Sequence, residues 1–136
     1  MKLVVIDGQS GRMGQLLIER IRAAQLNCEI TAVGTNAIAT AAMLKAGAHQ
    51  GATGENPVLV ACRTADIIAG PIGILSADSL LGEITPAMAM AVGQSNAEKF
   101  LLPVNKCNNH VVGMENLPVN ALLEKAIEMI GEAVGE

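Results

Sequence analysis

The sequence has almost no aromatic side chains, since it contains no tryptophan, no tyrosine and a single phenylalanine, Phe100. Its core must therefore be built from aliphatic side chains and methionine. Proteins that bind single-stranded nucleic acid stack the bases on aromatic side chains, which this chain lacks. Nine basic and thirteen acidic residues, without a basic cluster, also argue against such a surface. We therefore expect no nucleic-acid partner.

Charged residues are scarce as well, at 16% of the chain, whereas hydrophobic residues make up 51%. A surface with so little charge predicts a homodimer or a higher homo-oligomer. The most apolar region, residues 58–81, is interrupted by charged residues, glycine and proline. We therefore expect buried strands and helices there, and no membrane span.

Cysteine is limited to Cys28, Cys62 and Cys107, and no two of these form a C-x-x-C pair. An odd number of widely spaced cysteines predicts reduced thiols in place of a disulfide framework. The first residues predict a strand and show no basic and apolar segments of a signal peptide. Together these features predict a cytoplasmic protein, and 136 residues predict one domain, 1–136.

The first fourteen residues predict a strand, a glycine turn and the start of a helix. Residues 2–6 are rich in β-branched side chains, and after Gly14 the apolar residues recur at helical spacing. Gly8, Gly11 and Gly14 would permit a tight turn, close approach to a phosphate and packing of the helix on the strand. The N–H groups and dipole at that helix N-terminus would attract an anion. A tight connection without a ligand is the alternative.

The remainder of the chain predicts alternating strands and helices. Further strands are predicted at 28–33, 49–53, 65–69 and 100–104, with an antiparallel strand at 111–114. Helices are predicted to end near Gln25 and to cover 37–46, 57–64 with Asn56 as its cap, 74–81, 85–95 and the residues after Pro118. This order predicts an α/β fold, a small doubly wound, mainly parallel Rossmann-like sheet with helices on both faces.

A ligand of such a sheet lies beyond the carboxyl ends of the strands. The loops expected at that rim supply our predicted cofactor-binding residues, which are Gly8, Gln9, Ser10, Gly11, Arg12, Met13, Gly14, Gly34, Thr35, Asn36, Gly70, Gly73 and Asn105. Arg12 would contact a phosphate or remain solvated. Thr35 and Asn36 would bind a ribose hydroxyl or a 2′-phosphate, or cap a helix. Gly70 and Gly73 would lie over the ligand or permit close packing.

Asp7 and the polar segment 105–110 supply the candidates for catalysis. Asp7 would act as an acid or base, or accept hydrogen bonds from turn amides. Lys106 offers a positive charge, and Cys107 would be a nucleophile if that charge lowered its pKa. A polar binding turn is the favoured alternative for this segment. Cys107 and His110 are only two potential ligands, so we expect no metal site.

Residues 8–14 read Gly-Gln-Ser-Gly-Arg-Met-Gly, which resembles the cofactor loop of dihydrodipicolinate reductases. The resemblance implies that the turn binds the pyrophosphate of NAD or NADP. If the protein is an enzyme, it implies an NAD(P)-dependent, reductase-like protein. The chain lacks the paired-histidine and lysine substrate motif and the substrate domain of those reductases. It also has Gly34 where an acidic ribose ligand is expected.

Over nearly its full length the chain resembles a family of short bacterial proteins known only as domain of unknown function 3842. The stretches that carry this resemblance are 4–9, 32–40, 51–57, 70–73 and 103–109. The resemblance implies a Rossmann-like fold and supplies no activity. Two hypotheses follow, namely a protein that binds a nucleotide or another small phosphorylated ligand, and a non-catalytic oligomeric interaction or regulatory module with an unused rim.

Overall fold

The computed structural model describes residues 1–104 and 108–135. Its strands are β1 (Lys2–Asp7), β2 (Glu29–Gly34), β3 (Gln50–Thr53), β4 (Ile67–Pro71) and β5 (Glu98–Leu102). Its α-helices are α1 (Arg12–Ala23), α2 (Ala37–Ala46), α3 (Glu55–Thr64), α4 (Pro86–Gln94) and α5 (Val119–Val134), and a short 3₁₀ helix covers Ile72–Leu75.

The five strands form one parallel sheet in the order β3-β2-β1-β4-β5. Strand β1 lies at the centre, where Leu3 is paired with Ile30 of β2 on one side and with Ile67 of β4 on the other. The chain adds strands outward from β1 in one direction up to β3 and then crosses over to β4. The point at which the direction reverses therefore lies between β1 and β4. This topology confirms the predicted doubly wound α/β fold.

Alternate residues of β1 build two separate halves of the core, because successive side chains of a strand point to opposite faces. Leu3 and Val5 are buried with residues of α1, α2 and α5. Val4 and Ile6 are buried with residues of α3 and α4. Both faces of the sheet are therefore covered by helices, which explains why strands β1 and β4 read as continuous apolar runs.

The prediction of a helix at 74–81 is wrong. The 3₁₀ helix ends at Leu75, and the chain then forms consecutive turns over residues 76–84. Asp78, Leu80, Leu81 and Gly82 all have positive φ, between 55° and 87°, which a right-handed helix cannot contain. The apolar spacing that suggested a helix arises because Leu80 and Ile84 are buried against the sheet, not because the segment is helical.

The prediction of an antiparallel strand at 111–114 is also wrong. The amide of Met114 donates to the carbonyl of Val111 at 3.4 Å, and Gly113 has a φ of 84°, so these residues form a turn. Val112 is 98% exposed and therefore has no sheet face to pack on. A strand needs a partner for its backbone groups, and β5 pairs only with β4 among the described strands.

Two predicted boundaries are displaced by a few residues. Helix α3 begins at Glu55 with Gly54 as its N-cap, so Asn56 lies inside the first turn and is not the cap. Strand β5 ends at Leu102, and Pro103 follows it, as expected for a residue that cannot donate to a ladder.

Within the described ranges, none of the helices has both the length and the hydropathy needed to cross a bilayer.

Candidate functional site

The glycine turn between β1 and α1 is fastened to the end of β1 by Asp7. The Asp7 carboxylate accepts hydrogen bonds from the backbone amides of Gly8 at 2.8 Å and Gly14 at 2.7 Å. The amide of Gly11 donates to the carbonyl of Gly8 at 2.9 Å, and Gly11, with a φ of 75°, is the N-cap of α1. Asp7 therefore hydrogen-bonds turn amides, which was one of its two predicted roles.

All three glycines are closely packed, and at Gly11 the neighbouring atoms belong to the backbone, so a side chain there has no room. A Cβ at Gly11 would lie 2.7 Å from the Cα of Ala39, and one at Gly14 would lie 2.5 Å from the sulfur of Met43. A Cβ at Gly8 would lie 2.7 Å from the hydroxyl of Thr35. Contacts within the protein thus explain the G-x-x-G-x-x-G pattern, and only the surrounding side chains can indicate a ligand.

Asp7 is only 5% exposed, and its burial raises the pKa of its carboxyl group. The negative charge of Glu83 raises this pKa further, whereas hydrogen bonds from Gly14, Gly8 and Met13 lower it, and the net shift is upward. A buried carboxylate with a raised pKa is a common feature of functional sites, although networks that only stabilise the fold share it.

A cavity of about 170 Å³ opens beside the glycine turn. It is lined by Asp7, Gly8, Gln9, Ser10, Arg12, Met13, Pro71 and Leu80. Asp7 and Pro71 are the last residues of β1 and β4, so the cavity lies where the strand order reverses. Ligands of doubly wound sheets bind in this crevice.

The mouth of the cavity offers hydrogen-bond donors and a positive charge. Ser10 and Arg12 are both exposed, and both line the cavity. Within residues 1–104 and 108–135, their backbone amides have no hydrogen-bond partner, as expected at the first turn of a helix. The Arg12 guanidinium is a preferred partner for phosphate because its planar donors match the phosphate oxygens.

The loop after β2 contributes one structural and two polar positions. Gly34 is packed so closely against Thr40 that a Cβ would lie 2.6 Å from the Thr40 amide nitrogen. The Asn36 side chain accepts from the Ala39 amide at 2.9 Å and so caps α2, as one of its two predicted roles states. The hydroxyl of Thr35 and the side-chain amide of Asn36 are the polar donors at the rim, and both donate to groups of the protein itself.

Glu83 is the site residue that the sequence did not indicate. One of its carboxylate oxygens, Oε1, accepts hydrogen bonds from the Gln9 amide at 2.8 Å, the Thr35 hydroxyl at 2.5 Å and the Asn36 side-chain amide at 2.9 Å. A negative charge therefore stands between the ends of β1 and β2, although Gly34 occupies the position where an acidic residue was expected. Glu83 follows no motif, so only the tertiary structure reveals it.

Partial burial raises the pKa of Glu83, but hydrogen bonds from Thr35, Gln9 and Asn36 outweigh this effect and hold the pKa below its usual value. The carboxylate is thus charged at neutral pH. It also lies near enough to Asp7 for the two negative charges to repel. The site therefore combines two carboxylates with the positive charge of Arg12.

Residues 76–84, which we call the strap, carry Glu83 over the glycine turn. Leu80 is buried and forms one wall of the cavity, whereas Leu81 is 96% exposed. Inside the strap, the amide of Asp78 donates to the carbonyl of Ile84 at 2.7 Å, so the loop is closed on itself. The strap is thus a compact loop that limits the size of the cavity.

Gly70 and Gly73 do not line this cavity. Gly70 lies in β4 next to the carbonyl of Ile6, and Gly73 lies in the 3₁₀ helix, where its carbonyl accepts the Ser79 hydroxyl at 2.5 Å. These positions match the close-packing alternative. A ligand that lies against Gly73 would have to displace the strap.

Asn105, Lys106 and Cys107 lie outside the described residues, so the structure gives no account of them. Burial raises the pKa of both Cys28 and Cys62, which makes them weak nucleophiles. Among the described residues, no group of three histidine, cysteine or acidic side chains is arranged to hold a metal ion.

A larger open groove of about 460 Å³ lies on the sheet face beside β2, β3 and α3. It is lined by side chains such as Val4, Thr31, Gln50 and Val60, and it lies away from the glycine turn. We take the smaller cavity as the candidate site because it lies at the switch point of the sheet and is lined by Arg12.

A family described as a domain of unknown function, DUF3842, matches residues 2–135. The chain belongs to this family. The matched residues include the whole sheet, the glycine turn and the strap. No curated protein matches the chain. Among solved structures, a dodecameric FMN-dependent UbiX-like decarboxylase from Escherichia coli O157:H7 is similar, with a TM-score of 0.46 and 14% sequence identity over 100% of this chain and 96% of that chain.

Proposed function

We propose that this DUF3842 protein binds a nucleotide or another small phosphorylated ligand, with a phosphate at the N-terminus of α1. The observation that carries the proposal is the position of the cavity, which lies between the carboxyl ends of β1 and β4 and has Ser10 and Arg12 at its mouth. Two free amides, a hydroxyl and a guanidinium there supply the donors that a phosphate requires.

Asp7 supports phosphate binding by holding the shape of the glycine turn. By accepting the amides of Gly8 and Gly14, it holds the turn in the shape that leaves the amides of Ser10 and Arg12 free. The cavity holds only part of a nucleotide, because ligand pockets commonly measure roughly 300–1,000 Å³. The rest of the ligand would extend along the rim past Thr35 and Asn36.

Among nucleotides, NADH and NADPH are the first to test, because the glycine turn resembles that of dihydrodipicolinate reductases. If one of them binds, the protein would be a candidate NAD(P)-dependent reductase whose substrate is held by the same domain or by a second copy. Adenine nucleotides, flavins and sugar phosphates complete the panel, since all carry a phosphate group.

The test is a thermal-shift screen of the folded protein against this panel, followed by Arg12→Ala. A ligand present at 100 times its dissociation constant should stabilise the wild type by about 2.7 kcal/mol. Loss of the guanidinium should weaken binding by about tenfold, as expected for a charge-assisted hydrogen bond. Gly11→Asp is unsuitable, since any Cβ there would collide with Ala39.

Arg63→Ala is the matched control, because Arg63 is also exposed but lies in the last turn of α3. It should leave every ligand-induced shift unchanged. A wild-type protein that shows no shift with any phosphorylated compound would refute the proposal. Equal losses in Arg12→Ala and Arg63→Ala would show that the ligand binds through general charge and not at the glycine turn.

A non-catalytic interaction or regulatory module is the second candidate. It is favoured by large apolar side chains at the surface, of which Ile38 is 71% exposed and Met90 is 59% exposed. Such exposure also supports a homodimer or higher homo-oligomer. This candidate predicts no effect of phosphorylated compounds on the melting temperature.

A further inference from the structure

The three donors that converge on Glu83 form an arrangement suited to an external anion. A backbone amide from Gln9, a hydroxyl from Thr35 and a side-chain amide from Asn36 all point at the same oxygen atom. Such converging neutral donors resemble the anion-binding concavities that loops form in phosphate sites. Here the anion is a side chain of the protein itself.

This group of donors adjoins the proposed phosphate position. Gln9 and Ser10 are consecutive in the glycine turn, and both line the cavity. An anion on the Gln9 amide and a phosphate on the Ser10 amide would therefore be neighbours. This spacing suits two acidic groups joined by one bridging atom, as in a pyrophosphate.

The carboxylate that fills the position is carried by a loop with a strained backbone. Leu80 and Leu81 have φ values of 55° and 56°, a conformation that costs a bulky residue free energy. Leu80 lies close enough to Gly8 that a Cβ there would be 2.9 Å from its Cδ1 atom. The strap thus contacts the glycine turn through Leu80 and Glu83, while Ser79 and Ile84 hold it on the rest of the fold. Glu83 would therefore leave its donors by rotation of its own side chain.

We propose that Gln9, Thr35 and Asn36 form a second anion subsite, which Glu83 occupies until a ligand with two adjacent acidic groups displaces it. The inference rests on the proposed function and specifies its ligand class as pyrophosphate-bearing compounds, such as nucleoside diphosphates. When the second acidic group binds, the Glu83 side chain moves into solvent and leaves its three donors to the ligand.

The test compares the binding of pyrophosphate and orthophosphate to the full chain by calorimetry. Glu83→Ala and Glu83→Gln remove the competing charge, and Glu83→Ala should bind pyrophosphate about tenfold more tightly than the wild type. Orthophosphate needs only the first position, so its affinity should change by less than about threefold in either variant.

Asp78→Asn is the matched control, because it removes the same charge from the same strap. Asp78 is exposed and has a φ of 67°, which asparagine tolerates. Its affinity for both anions should equal that of the wild type. A tightening of equal size in Asp78→Asn would overturn the inference, because it would show a general charge effect.

Amide chemical shifts separate failure of the inference from failure of the proposed function. In Glu83→Ala, pyrophosphate should shift the amide signals of Gln9 and Thr35 as well as those of Ser10 and Arg12. Shifts confined to Ser10 and Arg12, or weaker pyrophosphate binding in Glu83→Ala, would overturn the second subsite and retain the first. No shift at Ser10 or Arg12 with either anion would overturn both.

Discussion

At the scale of single residues, Asp7 and Glu83 show that two carboxyl groups with similar hydrogen bonds can have opposite pKa shifts. Both carboxylates accept backbone amides of the glycine turn. Asp7 is buried at the end of a strand, so its charge is costly and its pKa is raised. Glu83 is more exposed, so its hydrogen bonds outweigh desolvation and its pKa is lowered.

Replacement of Asp7 by alanine should lower the free energy of unfolding by about 2–4 kcal/mol. Two amides would lose a charged acceptor inside the protein, where water cannot fully replace it. Asp66→Ala is the control, because Asp66 also accepts a backbone amide, that of Lys2 at 2.8 Å, but at an exposed position. Urea unfolding should show a loss below about 1 kcal/mol for Asp66→Ala. Equal losses would show that Asp7 does not anchor the turn.

The contribution of Glu83 to stability should disappear in acid. Its pKa in the folded protein lies below the ordinary value of 4.5, so its charged form stabilises the fold above that pH. This contribution is lost as the pH falls through the folded pKa. The wild type should therefore be more stable than Glu83→Gln near neutral pH, and the difference should shrink as the pH falls below 4.5. A difference that stays constant from neutral to acidic pH would contradict the assigned hydrogen bonds.

At the scale of elements, strands and helices could be predicted where apolar periodicity decided the structure. Strand β1 and helix α2 were predicted within one residue of their ends, because the β-branched run 2–6 and the stop at Gly47 act locally. The strap could not be predicted, since its turns depend on contacts of Leu80 and Glu83 with residues far away in the sequence. Glu83 is 74 positions from Gln9 and 48 from Thr35.

The sequence could likewise predict only part of the candidate site. The glycine turn, with Arg12 at its helix start, could be predicted from a compact local pattern. The function of its glycines could not, because only the folded chain shows that Ala39 and Met43 pack against them. The sequence also could not show that Thr35 and Asn36 share a carboxylate, since that requires the crossover from β4 to bring the strap over the rim.

Helix α4 provides a prediction at this scale. Its N-cap, Thr85, accepts the Met88 amide at 3.2 Å and donates to the Glu55 carboxylate at 2.6 Å. Thr85→Ala should reduce the free energy of unfolding by about 1 kcal/mol, the usual cost of losing a cap. Thr85→Ser keeps the oxygen and should retain most of the stability in the same denaturant titration. A stability loss as large in the serine variant would mean that the methyl group, not the cap, is responsible.

At the scale of the whole molecule, we predict that copies of the chain associate with one another. The composition and the exposed side chains Ile38 and Met90 predict a homo-oligomer. Light scattering coupled to size exclusion should give a mass of at least twice the 14.0 kDa of one chain. The measurement should be repeated over a range of concentrations. A mass of one chain at every concentration would refute self-association.

The central position of β1 also affects how the protein is made. Its partner on one side, β4, is made later, since Leu3 pairs with Ile67, which lies 64 positions further along the chain. Until then one edge of this apolar strand has no partner, and unpaired edges are prone to aggregation. Nascent chains that stall before β4 should therefore need protection by chaperones.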